Sequence, residues 1–459
     1  MRIKTISVLG LFGLFDHVIP LHSEERITII HAPNGYGKTT ILRLIYDIYD
    51  GNDIDIFRTN FRTIRLDFDD GSSLDVSKKK KEGSGKAVDL HIAGLRLDEQ
   101  LCYRYAKPDG EVLEHIPRMK IENLSDIISD LSRLKDTRGF RKDSPAMHAS
   151  SGSGSDDHRL NGIYLNWAPS LVFSPDDPPK WLINIRNSIP VRFIESQRLY
   201  HNVPQAEKSM GDNNPGYERS VSIYRADLIN TIEAILSKYA ELSQQLDCTF
   251  PARLTDLMMR LTDGRIKDDE MLDRDTILKQ LKEMDDRRQS LMDVGLLESV
   301  PPEPANVSGP MDDHTRLVLS LYLKDTWKKL DIFNDLERRI RTLKNIIEKL
   351  FLYKKMVINK EVGFAFRSPD GALLLPDRLS SGEQHELVLC YELLFKSMPG
   401  SLFLIDEPEI SLHVMWQEQF IRNLGEISKL ADIDMLVATH SPQIIDEFWD
   451  LAIELKGAV

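Results

Sequence analysis

The chain is poor in cysteine: Cys102, Cys248 and Cys390 are its three thiols among 459 residues. They form no pair at metal-ligand spacing and no disulfide framework, and they suggest a reducing compartment. No uninterrupted apolar run approaches the ~20 residues that cross a bilayer. The N-terminal stretch 1–14 lacks the charged, apolar and small-residue layout of a secretory leader. No membrane association and a cytoplasmic location are expected. The net charge of −13 gives no broad basic footprint of the kind nucleic-acid-binding domains carry. A local stripe is still compatible with it. Lys78 to Lys81, the set Arg133, Lys135, Arg138, Arg141 and Lys142, and the face Arg338, Arg339, Arg341 and Lys344 are the places to look. Such runs are commonly solvated loops and helix faces.

The length allows two or three domains. Ile27-Thr28-Ile29-Ile30 is a β-branched run that stops at a glycine-rich turn, after which Ile41, Leu42, Leu44, Ile45 and Ile48 recur at helical spacing. Residues 63–68 alternate as a half-buried strand, and Asp70-Gly71 signals a hairpin into Leu74 and Val76. The Ser- and Gly-rich stretch 144–157 reads as a loop. From about 217 to 355 the pattern is helical. Leu228, Ile232, Ile235, Tyr239, Leu242 and Leu246 form one stripe, and Phe333, Leu336, Ile340, Leu343, Ile347 and Leu350 another. Between them Val300-Pro301-Pro302-Glu303-Pro304 cannot continue a helix. An out-and-back helical arm is expected, with a returning helix over 313–352 of roughly 60 Å at ~1.5 Å per residue. After Met356 strands and helices return, and 403–405 and 435–438 are continuous apolar runs of the kind parallel strands show when buried on both faces. The expected division is 1–205, 206–355 and 356–459.

The turn after the first apolar strand reads His31-Ala32-Pro33-Asn34-Gly35-Tyr36-Gly37-Lys38-Thr39-Thr40. Strand, glycine loop, helix is the context of a phosphate-binding loop. Gly35 and Gly37 let backbone N–H groups turn inward around phosphates. Lys38 supplies a point charge, and the Thr39 hydroxyl can ligate Mg²⁺. Ala32 replaces the first glycine of the usual pattern, which asks whether that position tolerates a Cβ. Asp406 ends an apolar run, where a carboxylate can support Mg²⁺, and Glu407 follows, placed to orient or deprotonate an attacking water. Phosphoryl transfer needs mainly positioning and charge neutralisation, so these few groups suffice. His440 follows another apolar run and could hydrogen-bond a terminal phosphate. Ser380-Ser381-Gly382-Glu383-Gln384 precedes a helix; it reads as an anion site or as an ordinary capping box.

Taken together, the phosphate loop, Leu379 to Gln384, Asp406-Glu407-Pro408 and Thr439-His440-Ser441 resemble the ABC-type ATPase heads of the SMC/Rad50 and OLD-like group. The resemblance implies an α/β P-loop head, with a mixed sheet flanked by helices and an inserted antiparallel helical coiled-coil arm. It implies that Asn34, Gly35, Tyr36, Gly37, Lys38, Thr39 and Thr40 hold ATP and that Thr39 and Asp406 hold Mg²⁺. It makes Glu407 the catalytic carboxylate and His440 the switch histidine. Gln197, in Phe193-Ile194-Glu195-Ser196-Gln197-Arg198, resembles the glutamine that senses Mg²⁺ and the attacking water. Ser380, Ser381 and Gly382 would contact nucleotide bound by a partner head, and Ser411-Leu412-His413 sits where a dimer-contacting loop belongs. A homodimer or higher homo-oligomer is therefore implied.

The arm is short and has no Cys-x-x-Cys hook, and no Toprim segment follows His440 in this sequence. Gly83-Ser84-Gly85-Lys86 echoes a phosphate loop without its strand and helix and is expected to be a hairpin tip. These departures resemble ATPase subunits of prokaryotic antiphage systems such as PARIS and Septu, which implies a separately encoded nuclease-like effector. A DNA-repair or DNA-end-binding ATPase keeps the same engine, with DNA on the arm. A nucleotide-gated scaffold that hydrolyses little is the third reading.

Overall fold

A computed structural model describes residues 1–80, 99–117, 178–195, 220–266, 270–298 and 311–457, with short strand segments at 91–92, 95–96, 119–121, 171–173, 200–202 and 217–219. Gln197, the 83–86 and 144–157 segments, Lys81 and the 133–142 cations lie outside the described residues.

Contacts group the chain into two units. The first comprises Met1–Glu195, Met398–Pro408 and Asp432–Val459. Its antiparallel sheet has the order β2-β1-β4-β5-β8-β9, built from β1 (Ile3–Leu11), β2 (Phe15–Pro20), β4 (Thr63–Phe68), β5 (Ser73–Lys80), β8 (Glu99–Ala106) and β9 (Val112–His115). Alternation sets its buried face: Ile6, Val8, Ile64, Leu66, Leu74 and Val76 are each fully buried. The expected hairpin is present, with Leu66 opposite Leu74 and Ile64 opposite Val76.

The second sheet of this unit is parallel throughout, in the order β12-β18-β19-β3-β20. Its strands are β3 (Ile27–His31), β12 (Val191–Ile194), β18 (Leu402–Asp406), β19 (Asp434–Thr439) and β20 (Ala452–Glu454). The apolar runs of β18 and β19 are buried residue after residue, as two covered faces require. Helix α1 (Lys38–Asp50) packs on β12, β18 and β19, and α2 (Asp53–Arg58) and α3 (Lys180–Ser188) pack against α1. One apolar core joins residues from both sheets with α1 and α2. The Arg2 guanidinium donates to Asp432 and Asp434, each at 2.9 Å, and so ties β1 to the start of β19. Two strand pairs, β6 (His91–Ile92) with β7 (Leu95–Arg96) and β10 (Met119–Ile121) with β11 (Leu171–Phe173), complete the described part.

The second unit comprises Ser196–Ser397 and Glu409–Ala431. It holds the strand pair β13 (Tyr200–Asn202) and β14 (Tyr217–Arg219), and a small antiparallel sheet of β15 (Lys355–Asn359), β16 (Gly363–Arg367) and β17 (Leu373–Leu374). Helix α4 (Ser220–Thr262) runs for 43 residues and passes through Pro251. The others are α5 (Arg274–Asp293), α6 (Asp313–Asp331), α7 (Asn334–Leu350), α8 (Ser381–Phe395) and α9 (Val414–Ala431). Lys329 reaches Asp247, Arg253 reaches Asp325, and Leu257 packs with Leu317 and Leu321, so α4 and α6 are antiparallel.

The returning helix is not one rod over 313–352. It divides at Ile332 and Phe333, where the ladder tightens and the Phe333 N–H donates to the Leu330 carbonyl at 3.1 Å. No proline or glycine marks the place. Phe333 is fully buried against Tyr239, and the Asn334 amide bonds the Asp331 carboxylate at 3.0 Å. Beyond the break α7 turns to new company, packing on α8, α9 and β15, whereas α6 packs on α4 and α5. Among the described residues no helix is long and apolar enough to cross a membrane.

Candidate nucleotide site

β3 ends at His31, and the chain turns at once into α1. Gly35 and Gly37 carry φ of 92° and 89°, left-handed values that L side chains rarely adopt. Gly37 is also pressed from behind: a Cβ there would lie 2.4 Å from Leu11 Cδ2, whereas one at Gly35 would meet open space. Ala32 is 5% exposed and belongs to the apolar core, so its methyl group fills core space. Lys38 is almost fully buried, and its Nζ donates to the carbonyls of Ala32 at 2.7 Å and Pro33 at 3.4 Å. The loop thus closes into a ring around its own ammonium. Asn34 is exposed, and Tyr36 and Thr40 are half-buried.

β2 braces this loop, a feature the sequence reading missed. Tyr36 stacks on Phe15 at 5.3 Å, and Phe15 stacks on His17 at 5.7 Å. His17 Nε2 lies 3.2 Å from the Tyr36 carbonyl, which requires the proton on that nitrogen. Burial lowers the basicity of His17 below its ordinary value. The signal available was weak: alternation within 15–20 marks a strand, but nothing local says which loop it supports.

At the carboxyl ends of the parallel strands, the Thr39 hydroxyl donates to Asp406 Oδ1 at 3.1 Å. Burial raises the Asp406 carboxyl above its ordinary range and the Glu407 charge adds to that, while the Thr39 bond, Arg43 and Lys38 oppose it. Glu407 has φ of 44°, a left-handed backbone for a non-glycine residue, held by its N–H donating to the Ala438 carbonyl at 2.9 Å. That bond brings the end of β18 to the end of β19. His440 Nδ1 stands 3.9 Å from Glu407 Oε1, an ion pair only when the imidazole is protonated. Lys38, Thr39, Asp406, Glu407 and His440 therefore share one edge of one sheet.

Hard oxygen donors suit Mg²⁺, and the Thr39 hydroxyl beside the Asp406 carboxylate supplies two. Among the described residues no group of three or more His, Cys, Asp and Glu gathers for a metal. The remaining positions around such an ion would fall to phosphate oxygens and water, which is how Mg²⁺ is commonly held.

Ser380, Ser381 and Gly382 lie in the other unit. Ser380 caps α8: its N–H and hydroxyl both donate to Glu383 Oε2 at 2.9 Å, and the Glu383 N–H returns to Ser380 Oγ at 3.4 Å. Lys354 donates to Glu383 in turn. These bonds and burial act against each other on Glu383, whose carboxyl comes out below its ordinary range. The capping-box reading is thus realised, with Ser380 and Ser381 exposed and Gly382 half-buried in the first turn. In the 411–413 segment Leu412 is buried, and His413 Nδ1 accepts from the Met415 N–H at 3.3 Å; Ile410, Val414 and Met415 beside it are exposed.

Residues 1–445 match the AAA_15 family, described as an AAA ATPase domain. The chain belongs to that family. No curated protein matches this ATPase. Among solved structures it is similar to the Smc head domain with an extended coiled coil bound to the C-terminal domain of ScpA from Pyrococcus furiosus, at 14% identity and a TM-score of 0.34, covering 100% of this chain and 94% of that one. It is similar to the SMC head domain from Thermotoga maritima at 14% identity and 0.33, covering 98% and 92%. A third, the SmcHead bound to the C-winged helix domain of ScpA, has 13% identity and 0.32, covering 97% and 91%.

Proposed function

We propose that this AAA ATPase hydrolyses ATP with Mg²⁺ and uses the cycle as a switch. The observation that carries the reading is the 3.1 Å bond from Thr39 to Asp406, made beside a buried Lys38 and a Glu407 held in a strained backbone. Lys38 and the N-terminal N–H groups of α1 hold the phosphates. Bound Mg²⁺ supplies charge neutralisation at the phosphate oxygens. Glu407 orients a water and accepts its proton, and His440 donates to the terminal phosphate. Gln197 assists the water and metal.

The exposed serines support the further proposal that Ser380, Ser381 and Gly382 engage nucleotide held by a second copy, so that ATP closes a homodimer and hydrolysis opens it. Closure of this kind is a two-state element that can bias a partner. Within that reading, which rests on the motif resemblance, the chain is the cytoplasmic sensor or scaffold subunit of an antiphage system and restrains a separately encoded nuclease-like effector.

Phosphate release tests the engine. Wild type releases phosphate from ATP, and Glu407→Gln lowers turnover by about 100-fold or more while ATP still binds. Unchanged turnover in that variant removes Glu407 from the chemistry. A pull-down of tagged Glu407→Gln with ATP tests the job: a stoichiometric nuclease-like protein supports the effector, and recovery of DNA alone favours the DNA-end-binding role.

A further inference from the structure

Between α4, α5, α6 and residues Glu270 and Leu272 ahead of α5 lies a cavity of about 450 Å³, all within the second unit. Its volume falls in the range of small-molecule sites, roughly 300–1,000 Å³. Its cations differ in how they are occupied. Arg253 is fully committed: it grips both oxygens of Asp325 at 2.7 and 2.6 Å and donates to the Leu246 carbonyl at 2.9 Å. Arg260 is only partly so. Its Nη1 reaches Glu270 at 2.7 Å and its Nη2 reaches Asp256 at 3.0 Å, while its buried Nε has no hydrogen-bond partner among the described residues.

Lys324 and Lys328 also line the cavity, one helical turn apart on α6. Both are exposed, and neither meets a carboxylate among the described residues. Like charges at this spacing repel. One anion held between them relieves that repulsion. The rest of the lining limits what that anion can be. Leu257 and Leu321 form an apolar floor continuous with a buried cluster. Asp256 and Glu270, each paired with Arg260, put negative charge in the lining that would repel a second phosphate. A long polyanion needs a continuous basic track, and here the basic groups of the lining, on α4 and α6, are interrupted by Asp256 and Glu270.

We infer that this cavity is a second ligand site, separate from the phosphate loop, for a small phosphate monoester carrying an apolar ring, of the nucleoside monophosphate class. The phosphate meets Lys324 and Lys328, and the ring lies on Leu257 and Leu321.

AMP is the probe, titrated by calorimetry into the full chain bearing Lys38→Ala, which disables the phosphate loop. One saturable AMP per chain is expected. Adding Lys324→Glu and Lys328→Glu weakens it by about tenfold or more, as loss of charge-assisted bonds does. Adding Lys238→Glu and Lys349→Glu, the same charge change at exposed positions elsewhere, leaves it unchanged. Gln280→Ala, a milder change on α5 in the same lining, weakens it less and guards against misfolding of the reversal variant. Absence of saturable AMP uptake overturns the inference, as does uptake insensitive to the Lys324 and Lys328 reversal. Loss of single-stranded oligonucleotide binding in the reversal variant, with no AMP uptake by its parent, overturns it in favour of a nucleic-acid track.

Discussion

The Lys38 ammonium donates to the carbonyl of Ala32 at 2.7 Å, and the methyl group of that same Ala32 is packed in the core. The residue that departs from the usual glycine therefore serves the loop with its backbone and the core with its side chain. Ala32→Gly is expected to cost about 1 kcal/mol through backbone freedom and lost packing. It leaves nucleotide affinity unchanged. Urea denaturation and a fluorescent-nucleotide titration check the two halves.

Gly35 and Gly37 have almost the same φ but different surroundings. Gly35→Ala is expected to cost about 1–2 kcal/mol, the strain of a left-handed backbone alone. Gly37→Ala carries the same strain and drives its Cβ into Leu11, so its urea midpoint falls below that of Gly35→Ala. Equal midpoints would show that β1 yields at no cost.

Thr39 and Asp406 are expected to share one ion. Thr39→Val and Asp406→Asn each raise the Mg²⁺ concentration needed for half-maximal phosphate release by about tenfold or more. The double variant is no worse than the poorer single one, because the two oxygens act on a common target. A Mg²⁺ titration of phosphate release measures this.

Asp47, on α1, has its carboxyl pushed up to about 6 by burial, with Asp55 and Asp50 adding to the effect. A folded-state value above the ordinary 3.8 means that ionisation opposes folding. The penalty is absent below the ordinary value, grows between the two, and is complete above about 6. Asp47→Asn is expected to stabilise the chain by about 1 kcal/mol at pH 8, allowing for solvent screening. At pH 4 it changes little. Urea midpoints at the two pH values supply the comparison.

The candidate site was legible where its residues are local in sequence. Gly35, Gly37, Lys38 and Thr39 sit in one turn between a β-branched strand and an amphipathic helix, and Asp406-Glu407 follows four buried apolar residues. That β18 and β19 are parallel strands buried on both faces followed from their continuous apolar runs; that they pair with each other did not. The pairing of Tyr36 with Phe15 was not legible, since stacking between a loop and a neighbouring strand leaves no periodic trace. Nor was the division at Phe333: the apolar stripe continues into α7 while the partners of the helix change. Pro251 lies inside α4 without ending it, so proline alone is an unreliable stop. β20 was missed because three residues are too few for a pattern.

Strand β3, which delivers the phosphate loop, has as its two sheet neighbours β19 and β20, and Thr39 and Asp406 are 367 positions apart. On the ribosome, at about 5–20 residues per second, β3 emerges on the order of tens of seconds before either neighbour exists. During that interval it is an apolar strand with two unpaired edges, the kind that templates aggregation. Among the described strands, a nascent chain lacking β19 and β20 has no sheet partner for β3, so the sheet that carries the candidate loop closes only once both are made. Products truncated before β19 would leave β3 unpaired and would be substrates for chaperones or proteases.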